Sequence, residues 1–286
     1  MKLLHGISAL IRTVAARPRQ KTAAVVLAGG SGTRMGGEEA KQWLLLGGHP
    51  VLWHTLTALE KSDYTDDVVV VCRPEDRERI REMVRSSGFS KVRRLVNGGR
   101  TRQRSAYNGA RCVPAGTRFI ALHDAARCLV TPEEIDAVIS RAYAVGAASL
   151  GIPIRDTVKE VDSNGYITGT LDRDSVFLAA TPQVFSYPMY ISAATSALQN
   201  AVDVTDDNML MESLGQRVAL VTTSATAMKL TVPEDIPIAE SLLAAREKKA
   251  GKGAKKASSE EPRKPAQSKK PSRFKRLFGK CKEKKK

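Results

Sequence analysis

Two basic residues beside a glycine-rich loop are the feature of this chain best suited to chemistry. Arg34 lies within the loop, Lys41 follows it, and the loop contains five glycines. It begins with the run Ala28-Gly29-Gly30-Ser31-Gly32-Thr33. Glycine lets backbone N–H groups approach a ligand closely and form a concavity that holds an anion. Two cations beside such a concavity would neutralise a polyphosphate, so we expect the loop to bind a nucleotide. An ordinary flexible turn is the alternative when the loop is taken alone.

The loop departs from both common phosphate-binding motifs. Met35 stands where a dinucleotide-binding fingerprint has its third glycine. A Walker loop requires Gly-Lys-Ser or Gly-Lys-Thr, whereas this loop reads Gly-Thr-Arg-Met. The sequence therefore excludes both motifs while keeping the expectation of an anion near the end of a strand.

A carboxylate follows another apolar segment. Asp124 lies within the run Leu122-His123-Asp124-Ala125-Ala126-Arg127. The carboxyl edge of the sheet is where α/β proteins bind ligands. A carboxylate there suits Mg²⁺, which takes one or two carboxylates and completes its shell with phosphate oxygens and water. We expect Asp124 to serve this purpose; a turn or helix cap is its alternative role, and His123 is interpreted as structural.

A second glycine pair precedes a predicted helix. Gly98 and Gly99 come after an apolar strand, and Arg102 and Ser105 follow them. Amides at the start of a helix and a serine hydroxyl are suited to contact a base or a ribose. A glycine-rich turn with a basic helix start is an equally simple interpretation of this segment.

Alternating apolar and amphipathic segments indicate the elements that must position these residues. Strands are predicted over 23–28, 68–72, 92–96, 118–123, 147–152 and 218–223, and helices over 50–60, 74–86, 101–112, 131–144 and 188–199. Continuous apolar strands separated by helices are typical of a mostly parallel sheet covered on both faces. We therefore predict a Rossmann-like α/β fold. Helix starts are indicated at Thr131-Pro132-Glu133-Glu134 and at Val232-Pro233-Glu234-Asp235.

One segment breaks this alternation. Residues 156–170 are polar and β-branched, and Asn164-Gly165 lies at their middle, which is a strong β-hairpin signal. Because both faces of the hairpin are fairly polar, it does not suit the core of a parallel sheet. We predict a projecting arm over about 155–175 that pairs with a second copy of the chain, since an isolated hairpin is marginally stable. A loosely packed surface hairpin is the alternative.

The net charge of +16 belongs to the ends of the chain. Residues 1–22 carry 5 basic and no acidic side chains, and residues 247–286 carry 17 basic and 4 acidic ones. The intervening residues 23–246 carry 24 basic and 26 acidic side chains. We predict a basic N-terminal extension over 1–22, one globular domain over 23–246 and a Lys-rich disordered tail over 247–286. The near-neutral domain is not expected to bind nucleic acid specifically.

The tail contains one amphipathic segment. Phe274, Leu277 and Phe278 recur at helical spacing among basic residues, so weak contacts with anionic surfaces are a hypothesis. A solvated tail is the alternative.

The cysteines and the N-terminal segment bear on location. The four cysteines are Cys72, Cys112, Cys128 and Cys281; they form no C-x-x-C pair, which argues against a zinc site or a disulfide framework. We expect reduced thiols in a cytoplasmic protein. Residues 1–22 are interpreted as a simple extension, with a transit peptide or a secretory signal as alternatives.

An ordered set of motifs resembles the 2-C-methyl-D-erythritol 4-phosphate cytidylyltransferase family over about residues 22–245. Its members are Ala28-Gly29-Gly30-Ser31-Gly32-Thr33-Arg34-Met35, Lys41-Gln42, Gly98-Gly99 with Arg102 and Ser105, His123-Asp124-Ala125-Ala126-Arg127, Arg155-Asp156-Thr157-Val158-Lys159, Asp172-Arg173, Ala180-Thr181-Pro182-Gln183, Thr205-Asp206-Asp207 and Lys229-Leu230-Thr231. The resemblance implies a nucleotide-diphospho-sugar transferase-like fold with a β-arm for homodimerisation. It also implies that CTP and methylerythritol 4-phosphate are the substrates and that Mg²⁺ is the cofactor.

The resemblance also implies roles for individual residues. Arg34 and Lys41 would stabilise the transition state at the α-phosphate, and Arg173 and Lys229 would position the substrate phosphate. Asp124 would help to hold Mg²⁺ and the ribose. The remaining nucleotide-binding residues would be Ala28, Gly29, Gly30, Ser31, Gly32, Thr33, Gly98, Gly99, Arg102 and Ser105. Arg127, Thr157 and Thr181 would surround methylerythritol phosphate, with Thr157 serving the neighbouring subunit's site.

Several positions depart from the usual pattern of this family. Cys128 replaces a proline, Arg100 and Arg104 lie in the base-binding loop, Asn208 follows the Thr-Asp-Asp run, and Ala227-Met228 precedes Lys229. These changes concern details of the pocket. Two alternative functions are a cytidylyltransferase acting on ribitol 5-phosphate and a non-catalytic nucleotide- or anion-binding protein tethered by its basic tail.

Overall fold

The computed structural model describes residues 18–30, 39–224 and 227–259, without the side chains of residues 249–259. Its strands are β1 (Thr22–Leu27), β2 (Leu45–Leu46), β3 (His49–Pro50), β4 (Asp67–Cys72), β5 (Val92–Asn97), β6 (Phe119–Asp124), β7 (Ala147–Pro153), β8 (Lys159–Val161), β9 (Ile167–Thr170), β10 (Phe177–Ser186) and β11 (Ala219–Thr222). Its helices are α1 (Val51–Lys61), α2 (Arg77–Ser87), α3 (Arg102–Ala110), α4 (Pro132–Val145), α5 (Tyr187–Gln199), α6 (Asn208–Ser213) and α7 (Asp235–Ser259).

A seven-stranded sheet in the order β11-β7-β10-β6-β1-β4-β5 carries the fold. β1 lies parallel to both β4 and β6, and β5 lies parallel to β4. The carboxyl ends of these four strands therefore lie at one edge of the sheet. The glycine loop, Gly98 and Asp124 are located at that edge. The predicted mostly parallel α/β sheet is confirmed.

The interior strand β1 explains why the sheet is covered on both faces. Val26 of β1 packs in one apolar cluster with helices α1 and α4, whereas the adjacent Val25 packs in another with α3 and α5. Successive side chains of a strand point to opposite faces. An uninterrupted apolar strand thus requires helices on both sides of the sheet.

β10 is a strand that the sequence analysis did not predict. It lies antiparallel to both β6 and β7, between them. This arrangement brings Thr181 beside the carboxyl end of β6, because Gln183 pairs with Leu122.

The predicted helix starts are confirmed. Thr131 caps α4 through its side chain, which accepts from the backbone N–H of Glu134, and the carboxylate of Glu134 accepts from the backbone N–H of Thr131. α7 begins at Asp235, the last residue of the predicted start signal, and continues to Ser259.

The hairpin predicted around Asn164-Gly165 is also confirmed. β8 and β9 pair antiparallel as a separate two-stranded sheet, and Gly165 has a φ of 86°, the left-handed region that favours glycine. Among the described residues, no helix is both long enough and apolar enough to cross a membrane.

Candidate active site

The described part of the glycine loop lies against the end of β4. The backbone N–H of Ala28 donates to the carbonyl of Val71 at 2.8 Å. A Cβ atom built on Gly29 would lie 3.8 Å from the carbonyl carbon of Cys72. Gly30 follows, and Ser31, Gly32, Thr33 and Arg34 lie outside the described residues. The loop thus leaves β1 at the sheet edge that the sequence predicted.

Lys41 reaches this loop from a short 3-10 helix, Lys41–Trp43. Its Cε atom would lie 3.9 Å from a Cβ atom on Gly30. The two following side chains, Gln42 and Trp43, donate to the carboxylate of Asp76 at 3.0 and 2.7 Å. The lysine is therefore held near the loop by neighbours that are themselves fixed.

The anchor of that helix is a charged carboxylate. Arg73 donates from Nε to Oδ2 of Asp76 at 2.8 Å. Burial acts to raise the pKa of Asp76, but hydrogen bonds from Arg73, Trp43 and Gln42 outweigh it and leave that pKa below its ordinary value. Asp76 thus remains ionised and can keep accepting these bonds.

Asp124 is the centre of a cluster of opposite charges. Its Oδ2 accepts from Nζ of Lys229 at 2.6 Å, and its Oδ1 accepts from Nε of Arg102 at 3.2 Å. Burial acts to raise the pKa of Asp124, but the charges of Arg102 and Lys229 lower it well below its ordinary value. The cluster joins the end of β6, the start of α3 and the segment before α7.

Thr181 and His123 complete the edge beside Asp124. The hydroxyl of Thr181 accepts from the backbone N–H of Asp124 at 3.1 Å and lies 3.0 Å from Nδ1 of His123. Burial lowers the pKa of the fully buried His123 to about 4. The imidazole is therefore neutral at pH 7, in accord with its interpretation as structural.

The guanidinium of Arg127 bonds to two backbone carbonyl groups at the same edge of the sheet. It donates from Nη1 to the carbonyl of Ala227 at 3.0 Å and from Nη2 to the carbonyl of Ala179 at 2.8 Å. The guanidinium therefore joins β10 to the segment that carries Lys229.

The second glycine pair packs tightly at the start of α3. The N–H of Gly98 donates to the carbonyl of Cys72 at 3.0 Å, and the N–H of Gly99 donates to Oγ of Ser105 at 2.9 Å. A Cβ atom on Gly99 would lie 2.6 Å from Cβ of Arg104, so a larger residue would force the loop to shift. Ser105 thus orders the loop that was predicted to bind the base.

Two predicted site residues lie apart, on the arm. Thr157 is exposed just before β8, and the side chain of Arg173 is 62% exposed, with Nε 3.9 Å from the carboxylate of Asp174. Among the described residues, Lys229 and Arg102 bond to Asp124, whereas Thr157 and Arg173 do not.

Asp207 is a residue of the cluster to which the sequence analysis assigned no role. Its Oδ2 accepts from Nη1 of Arg102 at 2.7 Å, so Arg102 is shared between Asp207 and Asp124. The run Thr205-Asp206-Asp207 was the only sequence signal for it. Adjacent acidic residues in a loop ordinarily cap a helix; Asp207 directly precedes α6, but its side chain makes no capping hydrogen bond there.

Two departures from the family pattern have clear places in the structure. Cys128 is buried beside Leu129 in a small apolar cluster. Asn208 donates from Nδ2 to Oγ of Ser149 at 3.1 Å and to Oδ2 of Asp206 at 3.0 Å. Asn208 thus ties the acidic run to β7.

Comparison with known proteins gives one consistent result. The sequence model of the 2-C-methyl-D-erythritol 4-phosphate cytidylyltransferase family matches residues 22–245. A cytidylyltransferase of that description from Pelotomaculum thermopropionicum is 42% identical over 228 residues, which cover 79% of this chain and 96% of the relative. One from Desulforamulus reducens is 40% identical over 224 residues, covering 78% and 96%.

Solved structures agree with this result. The 4-diphosphocytidyl-2C-methyl-D-erythritol synthase of Anaerococcus prevotii matches with a TM-score of 0.71 and 27% identity, covering 79% of this chain and 96% of that one. The 2-C-methyl-D-erythritol 4-phosphate cytidylyltransferase of Thermus thermophilus matches with a TM-score of 0.63 and 27% identity, covering 77% and 98%.

Proposed function

The chain belongs to the 2-C-methyl-D-erythritol 4-phosphate cytidylyltransferase family, and from that premise we propose how its site performs the reaction. The chain transfers the cytidylyl group of CTP to 2-C-methyl-D-erythritol 4-phosphate in isoprenoid precursor biosynthesis. A phosphate oxygen of methylerythritol phosphate attacks the α-phosphorus of CTP. The bond from that phosphorus to the bridging oxygen breaks, and diphosphate leaves with its electron pair.

This chemistry requires electrostatic stabilisation more than proton transfer. The attacking phosphate oxygen is already anionic at neutral pH, so no general base is needed. The barrier lies in bringing two anions together and in stabilising charge on the departing diphosphate. Cations that are positioned before the reaction lower such a barrier most effectively.

The observation that carries the proposal is the charged cluster at the sheet edge. Lys229 and Arg102 both bond to Asp124, and Lys41 lies against Gly30 of the glycine loop. In our proposal Lys41 and Arg34 stabilise the transition state at the α-phosphate. Lys229 and Arg173 position the phosphate of the second substrate, and Arg127 and Thr181 line its site.

The nucleotide is proposed to lie across the two glycine segments. Backbone groups of residues 28–33 would hold the triphosphate, and Gly98, Gly99 and Ser105 would contact the cytosine. The bond from Gly99 to Ser105 supports this assignment because it orders the loop before a ligand binds.

Mg²⁺ fits this site with Asp124 as the protein ligand. A carboxylate has about four lone-pair sites, and the bonds from Lys229 and Arg102 use two of them. The described residues contain no group of three or more metal-binding side chains, so phosphate oxygens and water would supply the other ligands, as is usual for Mg²⁺. The bound ion would neutralise charge on the triphosphate.

We further propose that the arm makes the enzyme a homodimer. Val161, Tyr166 and Ile167 are between 60% and 72% exposed on β8, β9 and their turn. A two-stranded hairpin with exposed apolar side chains gains stability by packing against another surface. Thr157 and Arg173 would then reach the site of the neighbouring subunit.

A cytoplasmic location and weak tail contacts complete the proposal. Cys72, Cys112 and Cys128 are free thiols, which is typical of a reducing compartment. The net positive charge of residues 247–286 favours contact with anionic surfaces.

The direct test is diphosphate release from CTP and methylerythritol 4-phosphate, with the other three nucleoside triphosphates as controls. We expect turnover with CTP and at least a tenfold lower kcat/KM with each of the others, since a polar base site rejects analogues that leave its groups unpaired. Ribitol 5-phosphate is assayed in parallel. A preference for ribitol 5-phosphate would overturn the assignment of the second substrate.

A further inference from the structure

The carboxylate of Asp207 is fully buried beneath Arg102. Its Oδ2 accepts from Nη1 of Arg102 at 2.7 Å, and its Oδ1 accepts from the hydroxyl of Tyr190 at 2.9 Å. A buried charge is costly unless it is paired and hydrogen-bonded. Asp207 satisfies this condition with a residue of the candidate site, so its placement bears directly on that site.

Asp207 is itself held from two elements of the fold. Its backbone N–H donates to Oε1 of Gln183 on β10 at 2.9 Å. Tyr190 belongs to α5, is fully buried, and stacks on Phe185 with ring centroids 5.7 Å apart. The carboxylate therefore has little freedom to move.

This fixed carboxylate determines the plane of the Arg102 guanidinium. Arg102 uses Nε for Asp124 and Nη1 for Asp207, and two separate anchors fix a planar group in orientation as well as in position. Among the described residues these two carboxylates are its ion-pair partners. Neither bond uses Nη2, and the side chain of Arg102 is 29% exposed.

We propose that Asp207, oriented by Tyr190, is a positioning residue that fixes Arg102 for contact with CTP. The inference rests on the proposed function, in which Arg102 belongs to the nucleotide site. Asp207 does not touch substrate; it acts through Arg102. Its loss should therefore weaken CTP binding, whereas the affinity for the second substrate should change little.

The test compares Asp207→Asn with Asp67→Asn in the full chain. Asp67 is a matched control because it is also a buried aspartate paired with an arginine, Arg93, at 2.9 Å, but it begins β4 at the opposite end of the strand from the site. We expect Asp207→Asn to raise the KM for CTP and the calorimetric Kd for CTP about tenfold. Asp67→Asn should change each of them by less than about twofold.

A second, milder variant tests the proposal in case Asp207→Asn does not fold. Tyr190→Phe removes one hydroxyl, keeps the ring, and should raise the Kd for CTP about threefold. Folding is checked by circular dichroism and thermal unfolding. A folded Asp207→Asn variant with a wild-type Kd for CTP would overturn the proposal. If Asp207→Asn does not fold, a folded Tyr190→Phe variant with a wild-type Kd for CTP would overturn it.

A double-mutant cycle tests whether Asp207 acts through Arg102. In an Arg102→Ala background, Asp207→Asn should add less than about twofold to the Kd for CTP. An undiminished tenfold effect would contradict positioning through Arg102. CTP binding is measured without the second substrate, so failure of wild-type turnover would count against the proposed function and not against this inference.

Discussion

At the scale of single residues, Lys41 is the side chain on which the proposed chemistry depends most directly. Loss of one well-placed transition-state donor costs roughly 3–4 kcal/mol. We therefore expect Lys41→Ala to lower kcat by about 10² or more while leaving the thermal unfolding temperature nearly unchanged. Steady-state kinetics with both substrates would measure the effect.

The control for this prediction is Lys61→Ala. Lys61 is exposed in the last turn of α1 and should give wild-type kinetics. Near-wild-type turnover of Lys41→Ala would remove Lys41 from the mechanism.

His123 provides a second prediction at this scale, on stability. Burial lowers its pKa to about 4, whereas an unfolded histidine titrates near 6.5. Between these values only the unfolded chain binds the proton, so the free energy of unfolding falls as pH falls from about 6.5 to 4. The full contribution is about 3 kcal/mol. His123→Gln should remove this fall, which urea unfolding at several pH values would measure.

His49→Gln is the matched control because His49 is exposed. It should retain the pH dependence of the wild type. If His123→Gln and the wild type lost stability in parallel over this pH range, the burial argument would be wrong.

Residue types predicted which side chains lie at the sheet edge, but they did not predict the contacts among those side chains. Lys41 and Asp124 could be singled out because they follow predicted strands at the carboxyl edge of the sheet, where α/β proteins bind ligands. Asp207 could not, because its role depends on a tertiary contact with Arg102 that lies 105 residues away. The ion pair between Lys229 and Asp124 could not be predicted either, because these residues are also 105 positions apart in the sequence.

At the scale of elements, the arm gives the sharpest prediction. If each arm serves the neighbouring site, two inactive variants should complement each other when mixed. Lys41→Ala damages the core part of a site, and Arg173→Ala damages the arm part. Mixed dimers would contain one site with both residues intact, which gives about a quarter of wild-type activity at equal mixing. The assay is turnover after subunit exchange.

The control for complementation is a mixture of Lys41→Ala with Lys229→Ala. Both residues lie outside the arm, so every site of a mixed dimer retains one defect and activity should stay low. If Lys41→Ala and Arg173→Ala failed to complement despite demonstrated subunit exchange, each arm would serve its own subunit.

Strands were predictable where burial on both faces left one continuous apolar run, as in β1 and β4. β10 was missed because the polar run Thr181-Pro182-Gln183 interrupts its apolar residues. Proline inside a segment argues against a central strand. The hairpin was predictable because its turn residues alone select it.

At the scale of the whole molecule, most of the net positive charge lies in the tail, residues 247–286, and not in the near-neutral domain that we propose to be catalytic. Binding to anionic surfaces should therefore depend on the tail, and turnover should not. We expect the full chain to bind anionic vesicles more strongly than a chain that ends at Arg246, and only at low salt, because charge-driven binding is screened. Cosedimentation at two salt concentrations measures this difference. Equal retention of the two chains would discard the tail proposal, and turnover should be the same for both.

The central claim is that fixed positive groups around the glycine loop hold the triphosphate of CTP. A crystal structure with CTP tests it most directly. Our account predicts the triphosphate at the carboxyl edge of the sheet, within hydrogen-bond distance of Nζ of Lys41 and of backbone amides of the loop, with the cytosine beside Gly98 and Gly99. A triphosphate bound away from that edge would contradict the account.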